Sequence, residues 1–268
     1  MMKLLPRNVA RYEGKVIFDG KDVMELSDED FRKQVRWTGI SIVFQGAMNA
    51  LNPTMKVGYQ VAEPLLVHQD AEKDEAMAKA EEVIRSVRLP EYVVERYPHE
   101  LSGGMKQRIV IAMALVMKPK MVILDEPTSA LDTMTQASII NLLKKLKQEE
   151  HLSYLFITHD LALASELAER VAIMYAGKIS EIGTAEEIYR SPKHPYTQKL
   201  LESVPRMRGD QKPTFIPGAP PDLVHPPPGC RFHPRCEYVF EPCKTDEPPL
   251  KGDSRLVSCW LVNPKEGA

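Results

Sequence analysis

The tightest constraint on this chain is the stretch Met121-Val122-Ile123-Leu124-Asp125-Glu126-Pro127. Four consecutive apolar residues read as a strand buried on both faces, because a half-exposed strand would alternate. Two carboxylates follow where the strand runs out, and Pro127 stops further pairing and fixes the turn. Tyr154–Ile157 and Val171–Tyr175 are similar runs, and helical patterns lie between them over 102–117, 137–148 and 161–169. This alternation predicts an α/β domain with a largely parallel sheet, whose chemistry lies beyond the carboxyl ends of its strands.

The rest of the pattern is local. Gly14–Val23 predicts two short strands about an Asp19-Gly20 turn. Trp37–Phe44 predicts a strand ending at Gln45. Met77, Ala80, Val83, Ile84 and Val87 place an amphipathic helix over 72–89, with a solvated Glu/Lys face. A turn at Ala176-Gly177 leads to a return strand, Lys178–Ile182. No internal repeat is apparent.

Composition narrows the class. With 35 Lys+Arg against 37 Asp+Glu the net charge is −2, which argues against a wholesale nucleic-acid binder. The longest apolar run, Ile109–Met117, is nine residues, well below the ~20 of a spanning helix. Pro6 interrupts the start before a signal-peptide core can form. The expectation is an intracellular protein that reaches a membrane only through partners. Of 22 prolines, 15 follow residue 184, and all four cysteines lie between 230 and 259, so a conventional body carries a Pro-rich, Cys-bearing tail.

Three segments carry chemistry. A carboxylate at Asp125 can hold Mg²⁺ directly or through water, and Glu126 can orient or deprotonate a water attacking a phosphate. The same pair could instead only cap a helix. Leu101-Ser102-Gly103-Gly104-Met105-Lys106-Gln107-Arg108 leads into an apolar helix. Its N-terminus offers unpaired N–H groups, two glycines leave room for an anion, and Ser102 both caps and can donate to phosphate. Phe156-Ile157-Thr158-His159-Asp160 sets an imidazole at a strand end, either structural or near the same phosphate.

These residues carry a resemblance. Gln45, Leu101–Arg108, Leu124-Asp125-Glu126-Pro127, Ser129-Ala130-Leu131-Asp132 and His159 stand in the order and spacing of ABC-transporter ATPase subunits. They resemble that family's Q-loop, signature, Walker B with its glutamate, D-loop and switch histidine. The stretches Phe44–Pro53, Ser191-Pro192-Lys193-His194-Pro195-Tyr196-Thr197 and Ile216-Pro217-Gly218, with the cysteine tail, are similar to the oligopeptide/dipeptide permease ATPases. The resemblance implies a P-loop NTPase-like ABC nucleotide-binding domain over 1–190, with a helical subdomain at about 54–117, and a C-terminal extension over 191–268. It implies ATP and Mg²⁺, with Glu126 and His159 catalytic and Gln45 and Asp125 binding nucleotide and metal. Leu101, Ser102, Gly103, Gly104 and Met105 would meet a partner's ATP, beside a D-loop of Ser129, Ala130, Leu131 and Asp132. The implied partners are a second ATPase subunit, two transmembrane permeases, contacted near the loop after Gln45, and indirectly a peptide-binding protein, with no nucleic acid. The implied location is peripheral, on the cytoplasmic face of the membrane.

One expected part is not in the sequence. The three Gly-Lys pairs, at 14–15, 20–21 and 177–178, are followed by Val, Asp and Ile, so no G-x-x-x-x-G-K-[ST] loop is present. Met2-Lys3-Leu4-Leu5-Pro6 resembles the end of the helix that follows that loop, so the expectation is an N-terminally truncated core.

Cys230, Cys236, Cys243 and Cys259 form C-x5-C-x6-C-x15-C. Disulfides are disfavoured inside cells, so metal ligands are the first reading, as structural zinc or an iron–sulfur cluster, with free or paired thiols as the third. His233 is an alternative ligand. The resemblance favours a [4Fe–4S] cluster.

Overall fold

The computed structural model describes residues 2–4, 8–204 and 215–265. The chain divides into two compact units, Met1–His159 and Asp160–Ala268. That division comes earlier than the boundary at 190/191 that the resemblance implies.

In the first unit β1 (Ile17–Phe18) and β2 (Lys21–Asp22) pair antiparallel across Asp19 and Gly20, both at positive φ. This is the two-residue hairpin that an Asp-Gly pair favours. Helix α1 (Asp28–Gln34) starts at Ser27, whose hydroxyl accepts from the Asp30 N–H at 3.1 Å. Strand β3 (Ile40–Val43) follows. Helices α2 (Val57–His68), α3 (Lys73–Ser86) and α4 (Gly103–Leu115) then pack on one another. Strand β4 (Met121–Asp125), helix α5 (Thr133–Glu149) and strand β5 (Ser153–Ile157) complete the unit.

The sheet order is β3-β4-β5, all parallel, with Val43, Leu124 and Phe156 in register. On one face Ile40 and Ile123 pack with Val23, Phe31 and Val35. Residues of the opposite alternation, Val43, Val122 and Leu124, are also buried, and α4 packs against β3. Covering on both sides is why β4 reads as a continuous apolar run and β3 breaks its own only at the buried Ser41.

In the second unit Asp160 caps α6 (Leu161–Leu167), accepting from the N–H groups of Ala162 at 2.9 Å and Leu163 at 3.1 Å. Strands β6 (Arg170–Tyr175) and β7 (Lys178–Thr184) form the expected hairpin around Ala176 and Gly177. After α7 (Ala185–Arg190), α8 (Pro195–Glu202) and α9 (Glu241–Thr245), strand β8 (Leu256–Val257) returns antiparallel to β7.

Two expectations change. Val171–Tyr175, a member of the parallel alternation by its apolar run, belongs instead to an antiparallel sheet, β6-β7-β8, whose third strand comes from the cysteine region. Helix α2 falls in the helical subdomain that the resemblance implies, but the residue pattern does not mark it. Pro64 lies inside it, and its exposed stripe, Tyr59, Glu63 and Val67, carries a single charge, so little polarity marks a period. Met2, Lys3 and Leu4 are not helical, and Leu5 and Pro6 lie outside the described residues.

Candidate active site and cysteine cavity

Three polar side chains converge at the carboxyl ends of the parallel strands. Gln45 follows β3, Glu126 follows β4 and His159 follows β5. Gln45 Nε2 donates to Glu126 Oε2 at 2.9 Å, and His159 Nδ1 lies 2.9 Å from Glu126 Oε1. A carboxylate can only accept, so this contact sets the ring proton on Nδ1. Both Glu126 oxygens are thus held by groups distant in sequence, while each keeps a free lone pair.

The backbone helps to aim that carboxylate. The Glu126 N–H donates to the Ile157 carbonyl at 2.9 Å, and its φ is +46°. A left-handed conformation costs a non-glycine residue about 1–2 kcal/mol, and such strain concentrates at functional positions. Asp125, the last residue of β4, stays in register opposite Ile157. The strand-end pair is therefore not a helix cap: the helix that follows is capped by Asp132, whose carboxylate accepts from the Thr135 N–H at 3.0 Å and hydroxyl at 2.6 Å. Those bonds hold Asp132 below the usual carboxylate range. Ser129 closes the turn between, donating through N–H and hydroxyl to the Glu126 carbonyl, both at 3.2 Å.

Ser102 caps α4 as expected, accepting from the Met105 N–H at 3.3 Å. Leu101 is buried before it. The two glycines differ. A Cβ on Gly103 would meet Leu131 and Met48 at ordinary distances, whereas one on Gly104 would lie 2.7 Å from Thr135 Cγ2. Gly104 therefore lets the N-terminal ends of α4 and α5 touch, besides leaving room for an anion. Sequence reasoning misses Thr135, although its position three residues after Asp132 is a recognisable capping signal. A groove of about 750 Å³ beside α2 and α3 contains none of these residues.

In the second unit Cys230, Cys236, Cys243 and Cys259 line one tight cavity of about 10 Å³, and none is in a disulfide. Cys230 N–H donates to the Cys243 carbonyl at 2.9 Å. Burial pushes the Cys230 thiol up to about 11 and those of Cys236 and Cys259 upward. In the opposite direction, the N–H groups of Phe232, Tyr238 and Leu261 reach these three sulfurs. His233, the alternative ligand, instead places Nδ1 2.9 Å from the Cys230 carbonyl. Among the described residues no three His, Cys, Asp or Glu side chains are gathered to hold a metal ion. Neither the zinc nor the cluster reading of the four thiols thus has a preformed ligand set here.

The α/β fold and the strand-end cluster define an ABC-type ATPase. Residues 1–129 match the family model for ABC transporters, and residues 180–243 match that for the oligopeptide/dipeptide transporter C-terminal region. The dipeptide transport ATP-binding protein DppD of Caldanaerobacter subterraneus is 46% identical, over 97% of this chain and 81% of that protein. The oligopeptide transport ATP-binding protein OppD of Bacillus subtilis is 44% identical, over 98% and 75%. Among solved structures, a dimeric post-hydrolysis state of the ATP-binding cassette MJ0796 bound to ADP and Pi matches with TM-score 0.57 and 31% identity, over 65% of this chain and 74% of that one. The chain belongs to the ATP-binding subunits of ABC transporters that carry the oligopeptide/dipeptide C-terminal region.

Proposed function

We propose that this chain is the ATP-hydrolysing subunit that energises import of dipeptides or oligopeptides across the cytoplasmic membrane. The observation that carries this reading is the convergence of Gln45 and His159 on Glu126 at the ends of three adjacent parallel strands. Glu126 orients the attacking water and takes its proton; Gln45 and His159 fix the carboxylate, and His159 Nε2 faces the phosphate. Asp125 would hold the Mg²⁺ of bound ATP, which shields the charge on the phosphates. Among the described residues no helix is long and apolar enough to cross a membrane, which suits a subunit held at the cytoplasmic face by two permeases. We divide the work at 190/191, with the ATPase core before and the extension after.

No G-x-x-x-x-G-K-[ST] loop lies within the 268 residues. That favours a second reading, in which these residues offer Ser102-Gly103-Gly104 to ATP gripped by another subunit and hydrolyse none alone. Titration with labelled ATP, with and without an intact second ATPase subunit, separates the two: tight binding by the isolated chain excludes the signature donor. For transport, the subunit assembled with two permeases in proteoliposomes is expected to couple peptide uptake to phosphate release. Glu126→Gln should abolish both, and hydrolysis indifferent to peptide would overturn the assignment.

We further propose that the four cysteines hold a [4Fe–4S] cluster as a cross-link for the extension. Four unpaired thiols around one cavity, three with N–H groups on sulfur, suit that donor set. Anaerobic protein that is brown, with broad absorbance near 400 nm, is the expected result, and colourless zinc-loaded protein would exclude the cluster.

A further inference from the structure

The segment Ser191–Thr197 has no part in the strand-end site, yet its polar groups are among the most deeply enclosed in the molecule. Glu181 on β7 is fully buried. It accepts from the N–H groups of Lys193 at 3.0 Å and His194 at 3.1 Å, and from Arg255 Nε at 2.8 Å and Nη2. The Arg255 guanidinium also donates to the Ser191 carbonyl at 2.7 Å. One buried carboxylate thus pins the segment to the stretch leading into Cys259.

His194 itself is 2% exposed. Its Nδ1 accepts from the Tyr196 N–H at 3.0 Å, capping α8, so that nitrogen carries no proton. The other nitrogen faces the backbone of Ser258, which lines the same small cavity as His194. Because the Ser258 N–H already donates to the Ser180 carbonyl, the ring must donate to the Ser258 carbonyl. Burial keeps the ring neutral, with its pKa lowered to about 4, so this tautomer is fixed. Ser258 precedes Cys259, and His194 shares with Cys230 and Phe232 the wall between the cysteine cavity and a second cavity of about 20 Å³.

We propose that His194, fixed by the Glu181–Arg255 pair, is a positioning residue of the four-cysteine site, holding Cys259 through Ser258 and closing the wall beside Cys230. This rests on the reading of the four cysteines as one ligand site. The geometry assigns the imidazole two simultaneous tasks, cap and tether, and only the tether concerns the cysteines. Asparagine separates them. Asn is a strong N-cap, so His194→Asn preserves the start of α8, but its short side chain cannot also reach Ser258.

The test uses the full chain, with folding followed by circular dichroism and thiols counted with a disulfide reagent in anaerobic, metal-free protein. His194→Asn is expected to keep native helicity while Cys259 and Cys230 react about tenfold faster, the equivalent of one buried hydrogen bond. After anaerobic addition of ferrous iron and sulfide, it should retain less absorbance near 400 nm than the parent. His194→Ala, which loses cap and tether, should react faster still. Unchanged reactivity of Cys259 and Cys230 in folded His194→Asn overturns the positioning role. If the parent takes up no iron while His194→Asn still exposes both thiols, the cluster reading fails and the tether stands.

Discussion

The two units solve the same problem with different materials. The first buries long apolar side chains, among them Phe31, Ile40, Ile109, Leu124, Ile139 and Leu142, and leaves its chemical groups at strand ends. The second has few large apolar residues to bury and encloses Glu181, His194, Ser180 and Thr197 together with two of its cysteines. A polar interior is worth little unless every group is paired, and it fails sharply when one partner is removed. The difference teaches that a carboxylate can stand at the strand ends of one unit, open to the role proposed for Glu126, while in the other a buried carboxylate holds the frame.

The comparison can be broken most directly at Arg255. Arg255→Met leaves the Glu181 charge buried without its counter-ion, and breaking such a pair costs about 3–5 kcal/mol. The loss should appear in urea unfolding followed at Trp260, the reporter of the second unit, and not at Trp37 in the first. Adding Glu181→Gln should recover much of it. Equal losses at both tryptophans would show that the units do not unfold separately.

A smaller effect is expected at the helix junction of the first unit. Gly104→Ala drives a methyl to 2.7 Å from Thr135 Cγ2, an overpacking that costs about 1–3 kcal/mol. Thr135→Ser removes that methyl while keeping the hydroxyl on Asp132, so the double variant should return close to the parent in the Trp37 transition. Failure of Thr135→Ser to rescue would place the cost elsewhere than in this contact.

Glu126→Gln sharpens the contrast from the other side. It should change stability by less than about 0.5 kcal/mol, yet lower hydrolysis by the assembled transporter by about 10²–10⁴-fold. A large stability loss would mean that Glu126 supports the fold as Glu181 does.

Acid supplies the smallest test. The Thr135 hydroxyl and N–H depress Asp132 below the ordinary carboxylate range. A carboxylate depressed in the folded state stabilises it above the unfolded pKa, and that contribution fades as pH falls through the folded value. The Trp37 transition should therefore soften slightly in acid, below about pH 4, and Asp132→Asn, which still caps, should flatten that slope.

Much of the first unit is legible because its sequence signals are local. The β-rich strand β3, the apolar run of β4, the Asp19-Gly20 hairpin and the period of α3 each follow from one short window. Helix α2 is not, because its exposed stripe of Tyr59, Glu63 and Val67 is mostly apolar and Pro64 reads as a break. The β6–β7 hairpin is legible from its turn, but the sheet it joins is hidden, since an apolar run does not state its sheet and the third strand, β8, is only two residues long. At the candidate site the residue types Gln45, Glu126 and His159 stand out through spacing, whereas Thr135 and His194 do not, since their work depends on what lies across from them.

The sequence by itself determined the strand-and-helix alternation, the carboxylates at the end of β4, the glycine-led start of α4 and the presence of four thiols in a proline-rich tail. Those follow from residue type and spacing, which act over a few residues. Only the tertiary structure decided that Gln45 and His159 grip the two oxygens of one carboxylate, that Glu126 sits at a strained φ, and that Gly104 admits Thr135. It alone joined Arg255 to Glu181 and seated His194 behind the cysteines. Each of these joins residues far apart in sequence, and such contacts form only when separate elements pack, so no short window of the chain can contain them.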